Sequence, residues 1–363
     1  MNSKVDPLIS FNSENVCNHC QRYDDLLETR VITGDEGKNQ LNALVGKIKK
    51  SGKNKDYDCI IGVSGGVDST YVAYLTKELG LRPLAIHFDN GWNSELAVKN
   101  VENILNKLGI DLVTYVINWD EFKDLQLSFL KASVPDGEIP SDHAIQSVLW
   151  QYAEKHKIKY IISGMNFTTE SICVPHWSYG HSDWKYIKGI HKQFGTKKLK
   201  TYPHYSLPYL MYVNLKGIRT VSILNYIDYN KDDVMTILKE KLGWRSYGGK
   251  HHESIYTRFY QGVILPKKFN VDKRYGHLSD LINAKQVERD VALLELKNET
   301  YDPKLQEEDR EYVCKKLGLS ENAFEDILNA DCKTYENYPN SYWVVQFLRS
   351  SVNKLRSLGL YPK

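Results

Sequence analysis

Short apolar runs alternate with amphipathic stretches through the first half of the chain, and this alternation predicts its fold. Each run is bounded by turn-forming residues and is typical of a strand buried on both faces, whereas each stretch repeats its apolar residues at helical spacing. The predicted strands are 58–63, 84–88, 112–117 and 159–163, and the predicted helices are 40–50, 68–79, 94–108, 122–130 and 144–155. This order predicts an α/β fold with a doubly wound, mostly parallel sheet.

The regions on either side of this alternation have different patterns. Residues 1–40 are polar and contain a Cys-x-x-Cys element, while residues 231–363 contain further helical stretches. Within 41–230, residues 167–208 break the pattern and are rich in aromatic residues, which is typical of an ordered functional excursion. We therefore expect a short N-terminal element, an α/β domain with an aromatic-rich insertion, and a mostly helical C-terminal region that completes the active site.

The composition is that of an ordinary globular protein. The 363 residues include 48 basic and 45 acidic side chains, and the net charge of +3 argues against a protein whose main task is to grip a nucleic-acid backbone. The N-terminus has no apolar run typical of a signal peptide, and no stretch of about 18 apolar residues could span a bilayer. We therefore expect a cytoplasmic protein with reduced thiols and without a membrane or nucleic-acid partner.

A glycine-rich hexapeptide, SGGVDS, lies between the first predicted strand and the helix that follows it. Its glycines let the backbone turn tightly and approach an oxyanion, which the N–H groups of a helix N-terminus can bind. Asp68 would repel a phosphate unless it also helps to bind Mg²⁺. The loop has neither the Walker A frame nor the G-x-G-x-x-G pattern. The predicted phosphate site consists of Ser64, Gly65, Gly66, Val67, Asp68 and Ser69.

The hexapeptide resembles the signature of the PP-loop ATP pyrophosphatases, a superfamily that includes NAD synthetase, GMP synthetase, asparagine synthetase and tRNA-thiolating enzymes. The resemblance implies an adenine nucleotide alpha hydrolase-like fold that binds ATP and Mg²⁺ at the loop. It also implies that a substrate oxygen attacks the α-phosphorus of ATP, that pyrophosphate leaves, and that a nucleophile then displaces AMP. His87, Asp89 and Gly164 are expected to lie near the nucleotide.

Three further blocks resemble the N-acetyl sugar amidotransferases of bacterial surface-polysaccharide and nonulosonic-acid biosynthesis. They are CNHCQRY at 17–23, ISGMNFTTES at 162–171 and LGWRSYGGKHHES at 242–254, the last continuing through FYQ, ILPKKF, DKR and HLS. In that family the acetamido oxygen of a sugar is adenylated, and ammonia displaces AMP to leave an acetamidino group. The resemblance spans nearly the whole chain and implies this reaction on a nucleotide-linked sugar, in lipopolysaccharide O-antigen biosynthesis.

The resemblance also suggests which side chains act in that reaction. Lys250, Lys273 and Arg274 would offset charge on the phosphates as pyrophosphate departs. Glu170 and Glu253 would orient ammonia or the sugar, and the alternative for each lone charge is a structural ion pair or a solvated face. Aromatic residues of the insertion would form a sugar-pocket wall or, alternatively, a lid packed on the sheet. The expected substrate contacts are Asn166, Trp177, Trp184, Trp244, Arg245, Tyr247, His251 and Glu253.

The ammonia is expected to come from a second protein. Position 2 is Asn2, so there is no N-terminal cysteine nucleophile, and none of the six cysteines lies in a recognisable nucleophile motif. The family resemblance implies a glutaminase subunit and a cyclase-like subunit that channels ammonia, similar to those of histidine biosynthesis.

Cys17 and Cys20 have the spacing of zinc ligands. The family usually has an earlier Cys-x-x-Cys pair, which is missing here, and a structural zinc site has four ligands. Zinc would therefore require His19 or a distant cysteine. The alternative is a pair of reduced, partly buried thiols.

Two other functions are compatible with the sequence. A thiolation-type tRNA-modifying enzyme shares the phosphate loop, although it would need a basic RNA face and usually a sulfur-carrying cysteine. A nucleotide-binding module without catalysis could retain both the loop and the basic block. The apolar face of the last predicted helix, 342–356, could serve a homo-oligomer, a partner or the core.

Overall fold

The structure is a computed structural model that describes residues 1–249 and 251–357, except for the side chains of residues 349, 353 and 355–357. Among the described residues, a five-stranded, entirely parallel sheet has the strand order β3-β2-β1-β4-β5. The strands are β1 (Cys59–Gly62), β2 (Pro83–Asp89), β3 (Asp111–Val116), β4 (Tyr160–Ser163) and β5 (Arg219–Ser222). The predicted doubly wound parallel sheet is confirmed, and β5 is a strand that the sequence pattern did not predict.

Helices cover both faces of the sheet and make up most of the C-terminal region, as predicted. In chain order they are α1 (Asn18–Arg30), α2 (Gly34–Ser51), α3 (Val67–Glu78), α4 (Glu95–Leu108), α5 (Trp119–Ala132), α6 (Ile139–Lys155), α7 (Trp184–Phe194), α8 (Leu207–Leu215), α9 (Lys231–Ile237), α10 (Ile255–Phe259), α11 (Leu265–Phe269), α12 (Arg274–Asn283), α13 (Arg289–Glu295), α14 (Pro303–Leu317), α15 (Glu321–Asn329) and α16 (Tyr342–Ser357). Short 3₁₀ segments lie at Pro175–Trp177, Ile223–Tyr226 and Tyr335–Asn337, and π-helical turns lie at Leu238–Leu242 and Tyr260–Ile264. In the part of the chain that the structure describes, no helix has both the length and the apolar character needed to cross a bilayer.

Strand order and register create a crevice beside β1. Ile61 of β1 is level with Ala85 of β2 on one side and with Ile162 of β4 on the other. The chain runs from β1 outward through β2 to β3 and then crosses to β4, on the opposite side of β1. In open parallel sheets, ligands bind beyond the carboxyl ends of the strands at such a change of direction.

The central strand separates two cores. Ile60 packs in one core with Phe122 of α5 and Val148 of α6, whereas Ile61 packs in the other with Ile104 of α4. Both isoleucines have 0% exposure. A strand buried on both faces needs apolar residues at consecutive positions, which explains the uninterrupted run that predicted β1.

The aromatic-rich insertion is ordered and tied to α5. The carboxylate of Glu121 accepts backbone N–H groups from Lys200, Thr201 and Tyr202 at 2.9–3.2 Å. Asp124, one turn further along α5, accepts two more from the segment that follows α7. These bonds pair five backbone N–H groups of the insertion with α5, including that of the buried Tyr202.

Candidate active site

A cavity of about 810 Å³ opens at the carboxyl ends of β1, β2 and β4. Its wall includes Asp68 of the phosphate loop, His87 at the end of β2 and Gly164 after β4. The C-terminal region supplies another part of the wall, including Glu253 and Lys273. A cavity of this volume is large enough for a nucleotide together with part of a second substrate.

The phosphate loop has the backbone of an anion site. Gly65 has a φ of +84°, a left-handed conformation that glycine adopts without steric cost. The Gly66 N–H donates to the hydroxyl of Ser64 at 3.2 Å, and that hydroxyl lies 3.2 Å from the hydroxyl of Ser69. Helix α3 begins directly after Gly66 without a side-chain cap, so its first N–H groups remain available to an anion.

Two side chains of the C-terminal region donate hydrogen bonds to the backbone of the phosphate loop. The indole N–H of Trp244 and the hydroxyl of Tyr247 both donate to the carbonyl oxygen of Gly65, at 2.9 and 2.6 Å. Asn100 of α4 donates to the Tyr247 hydroxyl at 2.8 Å. In a trans peptide the carbonyl and the following N–H point in opposite directions. Holding the Gly65 carbonyl therefore turns the Gly66 N–H toward the inside of the loop.

The acidic residue of the loop is held by a tyrosine. The hydroxyl of Tyr229 donates to the carboxylate of Asp68, and burial, followed by the charges of Asp68 and Glu170, raises the pKa of Tyr229. The tyrosine therefore stays protonated as a donor at neutral pH. Asp68 and Glu170 both line the cavity.

These two carboxylates fit a magnesium ion. Mg²⁺ in nucleotide sites is usually held by one or two carboxylates together with substrate phosphates, rather than by an all-protein cage. Among the described residues, no group of three or more His, Cys, Asp or Glu side chains could hold a metal on its own. The donor set of Asp68 and Glu170 therefore suits an ion that arrives with ATP.

Gly164 allows β4 to approach the phosphate loop. A Cβ atom at this position would lie 3.1 Å from the carbonyl carbon of Asp68 and 3.2 Å from the amide nitrogen of Ser69. Because those neighbours are backbone atoms at the start of α3, they cannot move aside without shifting the loop. The sequence reasoning placed Gly164 near the nucleotide, and it lines the cavity.

The end of β2 contributes a fixed imidazole. The Nδ1 of His87 lies 2.9 Å from the carbonyl oxygen of Val63, and the amide Nδ2 of Asn93 donates to His87 Nε2 at 3.1 Å. The second contact requires an unprotonated Nε2, so Nδ1 carries the proton and donates to Val63. Asp89, in contrast, accepts the N–H of Gly91 at 2.8 Å and shapes the turn after β2, outside the cavity wall.

Glu253 lies directly against the phosphate loop. One of its carboxylate oxygens lies 3.2 Å from the position that a Cβ atom on Gly66 would occupy. Burial is the largest single influence on the pKa of Glu253 and raises it, but His251, a backbone hydrogen bond and the charge of His252 together lower that pKa. Glu253 and His251 both line the cavity, so an ionised carboxylate and an imidazole stand beside the expected phosphate position.

A polar cluster that the sequence analysis missed lies at the start of α6. The carboxylate of Glu138 accepts from the Nζ of Lys273 at 2.9 Å and from the Nε2 of Gln261 at 2.9 and 3.0 Å. Asp142, one turn later, lies 3.4 Å from the imidazole of His181. The prediction began this helix at residue 144. Glu138 and Asp142 lie just before that residue. Side chains four positions apart share one face of a helix, and this spacing could have revealed the cluster.

Two aromatic residues of the insertion differ from the expectation that they would line a sugar pocket. Trp177 is buried, and its indole N–H donates to the carbonyl oxygen of Val5 at 2.8 Å. Trp184 stacks on His204 with ring centroids 4.1 Å apart. Neither residue lines the cavity, because Trp177 bonds to the N-terminal element and Trp184 stacks within the insertion.

Three polar residues also lie outside the cavity wall. Arg274 pairs with Asp272 at 2.8 Å and donates to backbone carbonyls at the end of α13 and just after it, so its guanidinium is held in a structural ion pair. Asn166 is fully buried and accepts two hydrogen bonds from Thr169. The backbone of Arg245 pairs with Asn100, while its side chain is exposed. Lys250, the remaining basic residue of the expectation, lies outside the described residues.

The cysteine pair does not form a zinc ligand set in the described part of the chain. The sulfur atoms of Cys17 and Cys20 lie 3.5 Å apart. The imidazole of His19 lies 2.6 Å from the carboxylate of the buried Asp6, which satisfies one of its nitrogens away from the thiols. Two thiols without two further ligands do not fit a structural zinc site.

Two families match different parts of the chain. Residues 38–192 match the NAD synthase family. Residues 253–350 match the C-terminal domain of the WbpG-like LPS biosynthesis proteins. The phosphate loop belongs to the first region, whereas Glu253, Gln261 and Lys273 belong to the second.

Individual relatives share only parts of the chain. It is 36% identical over 70 residues to a tRNA(Ile)-lysidine synthase of Chlamydia pneumoniae, covering 19% of this chain and 22% of that protein. It is 26% identical over 167 residues to the tRNA-specific 2-thiouridylase MnmA 2 of Caldanaerobacter subterraneus subsp. tengcongensis, covering 42% of this chain and 44% of that protein. The chain thus spans less than half of the length of either relative.

Among solved structures, NMN synthetase from Francisella tularensis matches with a TM-score of 0.31 and 15% identity, over 70% of this chain and 98% of that one. The two family matches agree with the phosphate loop, the parallel sheet and the C-terminal block. Together they support a lipopolysaccharide-associated PP-loop ATP pyrophosphatase.

Proposed function

We propose that this protein is an ATP-dependent amidotransferase that adenylates the acetamido oxygen of a nucleotide-linked N-acetyl sugar and replaces that oxygen with ammonia. The products would be an acetamidino sugar, AMP and pyrophosphate. One observation carries the proposal: a single cavity joins the phosphate loop to the LPS-associated region, which contributes Glu253, Gln261 and Lys273 to its wall. A nucleotide bound at the loop would therefore meet a second substrate held by that region.

An amide oxygen is a poor leaving group, so it must be adenylated before ammonia can displace it. In the first step that oxygen forms a bond to the α-phosphorus as the bond to pyrophosphate breaks. In the second step the nitrogen of ammonia bonds to the acetamido carbon, and the carbon–oxygen bond breaks with its electrons leaving on AMP. The attacking nitrogen also loses one proton, and the product is an amidinium group.

The loop residues would bind and orient the phosphates. The first N–H groups of α3 suit the phosphate oxygens, with the hydroxyls of Ser64 and Ser69 beside them. Asp68 and Glu170 would hold Mg²⁺, which supplies positive charge against the phosphates as pyrophosphate departs. Burial is the largest single influence on the pKa of Lys273 and lowers it, but the charge and hydrogen bond of Glu138 together with the charge of Asp142 raise that pKa, so Lys273 remains a cation in the cavity wall.

The proposal extends to the source of nitrogen. Ammonia would come from a separate glutaminase with a cyclase-like channel subunit. An exposed apolar face on α16, where Trp343 is 80% and Phe347 71% exposed, supports this part of the proposal. Such a face suits contact with another subunit or with a second copy of this chain.

The test is to measure pyrophosphate and AMP formation from ATP with Mg²⁺ and ammonium chloride, across a panel of nucleotide-linked N-acetyl sugars and bulk tRNA. The expected result is sugar-dependent pyrophosphate, together with a product in which mass spectrometry finds NH in place of oxygen. Turnover with tRNA alone would instead assign the protein to RNA modification, the activity named for its 2-thiouridylase relative. Nucleotide binding without pyrophosphate release from any substrate would favour a non-catalytic module.

A further inference from the structure

Glu138 holds an unusual position at the start of α6. It is the residue before the first turn of the helix, yet its side chain makes no capping hydrogen bond. Instead its carboxylate accepts from Lys273 and Gln261, which belong to two separate segments of the LPS-associated region. The carboxylate is therefore fixed by tertiary contacts rather than by its own helix.

Lys273 and Gln261 both lie at positions that restrict the movement of the Glu138 carboxylate. Lys273 directly precedes α12, and Gln261 lies in the π-helical turn Tyr260–Ile264. Single π-helical turns inside helices frequently occur at functional sites. The side chain of Glu138 is only 16% exposed, and it lines the cavity. A carboxylate has about four lone-pair positions, so these donors leave it able to accept one more N–H from a molecule in the cavity.

One hydrogen bond connects the first turn of α6 with the end of β2, at the nucleotide end of the cavity. Asn90, which follows β2, donates to the hydroxyl of Ser141 at 3.0 Å. Ser141 lies in the first turn of α6, three residues after Glu138, and Asn90 is three residues after His87. All four residues line the same cavity. Glu138 thus lines the same cavity as the phosphate loop, on the wall that the start of α6 provides.

We propose that Glu138 is the general base that takes the proton from the attacking ammonia, and that Lys273 and Gln261 are positioning residues for its carboxylate. This inference rests on the proposed amidotransferase function. As the nitrogen bonds to the acetamido carbon and AMP leaves with the carbon–oxygen electron pair, one N–H proton passes to a carboxylate oxygen of Glu138. The carboxylate returns this proton to solvent after the amidinium product leaves.

The variant Glu138→Gln separates this role from a structural ion pair. Glutamine has the same shape and can still accept from Lys273, but it cannot take a proton. Glu154→Gln is the matched control, because Glu154 lies on the same helix, accepts from Tyr209 at 2.8 Å and does not line the cavity. Thermal unfolding checks that both variants fold. Glu138→Asp, which keeps a carboxylate, replaces Glu138→Gln if the latter does not fold, and is then expected to retain partial ammonia-dependent turnover.

Each half of the reaction is measured alone. The first half is the exchange of labelled pyrophosphate into ATP, which depends on the nucleotide-linked N-acetyl sugar and needs no ammonia. The second half is acetamidino product formed with ammonium chloride. For Glu138→Gln we expect exchange within about twofold of wild type and product formation lower by about 100-fold or more, the usual contribution of a general base. Glu154→Gln should match wild type in both.

Hydroxylamine provides a second readout. At neutral pH it is already a free amine and a stronger nucleophile than ammonia, so it depends less on a base. We expect it to restore product formation by Glu138→Gln to within about tenfold of wild type, as an amidoxime. A variant that had lost only the shape of the cavity would not be rescued.

The positioning residues have their own test. Lys273→Met and Gln261→Leu remove donors from the Glu138 carboxylate, which disfavours its charged form. The acidic limb of the pH–rate profile for ammonia-dependent turnover should therefore shift to higher pH in both variants. An unchanged pH profile in both variants would contradict their assigned role.

Failure of this inference can be told apart from failure of the proposed function. If wild type shows no sugar-dependent exchange, the amidotransferase function itself fails, and the inference falls with it. If wild type exchanges but Glu138→Gln makes product normally, or loses exchange and product together without rescue by hydroxylamine, Glu138 is not the base.

Discussion

The hydroxyl of Tyr247 lies 2.6 Å from the carbonyl oxygen of Gly65, so a residue of the C-terminal region orients a peptide of the phosphate loop. The two residues are 182 positions apart in the chain. Trp244 donates to the same oxygen, and both side chains also line the cavity. Sequence reasoning expected these aromatic residues to contact the sugar, but their polar groups are committed to the loop. The C-terminal region thus helps to shape the ATP site.

Replacing Tyr247 by Phe should impair the use of ATP more than it impairs folding. The change removes one of two donors to the Gly65 carbonyl and lets that peptide rotate. A hydrogen bond of this kind contributes about 0.5–1.5 kcal/mol, so we expect kcat/KM for ATP to fall by up to about tenfold. Tyr209→Phe is the control, because it removes a hydroxyl bonded to Glu154 outside the cavity. Equal kinetic effects of the two variants would contradict the positioning role.

Replacing Asp68 by Asn should abolish substrate-dependent pyrophosphate release. The amide retains the size of the side chain but loses the charge that would hold Mg²⁺, and we expect a loss of about 100-fold or more. Tyr229→Phe should have a smaller effect, since it removes one hydrogen-bond donor to the carboxylate but leaves the carboxylate in place. Pyrophosphate release at increasing Mg²⁺ measures both. Full activity of Asp68→Asn at low Mg²⁺ would show that Asp68 does not bind the metal ion.

A methyl group at Gly164 should displace the phosphate loop. Its Cβ atom would lie 3.1 Å from a backbone atom of Asp68, so Gly164→Ala is expected to weaken ATP binding by about tenfold or more, a cost of a kilocalorie or two per mole typical of overpacking. Gly46→Ala in α2 is the matched control, because nothing lies within 4 Å of the added methyl there. That control should be stabilised slightly, by about 0.5–1 kcal/mol. Calorimetric titration with ATP, together with thermal unfolding, distinguishes the two outcomes.

Acid should destabilise the protein through His143. This imidazole is fully buried, its Nδ1 lies 2.9 Å from the carbonyl oxygen of His181, and its Nε2 accepts the N–H of Tyr205 at 3.2 Å. Protonation of Nε2 would break the second bond. Burial, as the largest cause, lowers the pKa of His143 to about 4.

The sign of the pH dependence follows from that lowered pKa. Between about pH 6.5 and 4 the unfolded chain binds the His143 proton and the folded chain does not, so the free energy of unfolding falls as the pH falls through this window. The loss should be on the order of 3 kcal/mol. Urea unfolding at several pH values should show a flatter dependence for His143→Gln, whereas His156→Gln, at the end of α6, should retain the wild-type dependence. Parallel curves for wild type and His143→Gln would show that His143 does not cause the acid sensitivity.

The sheet and the phosphate loop could be predicted from the sequence because both depend on local patterns. Strands buried on two faces need consecutive apolar residues, so β1 and β2 were recognisable without their partners. The loop needs glycines at a strand-to-helix turn, and those residues are adjacent in the chain. β5 was missed because it is short and lies at the edge of the sheet, where burial imposes little pattern on Arg219–Ser222.

The roles of single polar and aromatic residues were decided only by the tertiary structure. Trp177 and Trp244 have the same chemistry in the sequence, yet one is buried beside Val5 and the other binds the phosphate loop. Lys273 and Arg274 are neighbours, but only Lys273 reaches the cavity, where it meets Glu138. Such partners lie more than one hundred positions apart in the chain. A local sequence pattern does not predict these contacts, because they depend on how distant segments of the chain pack together.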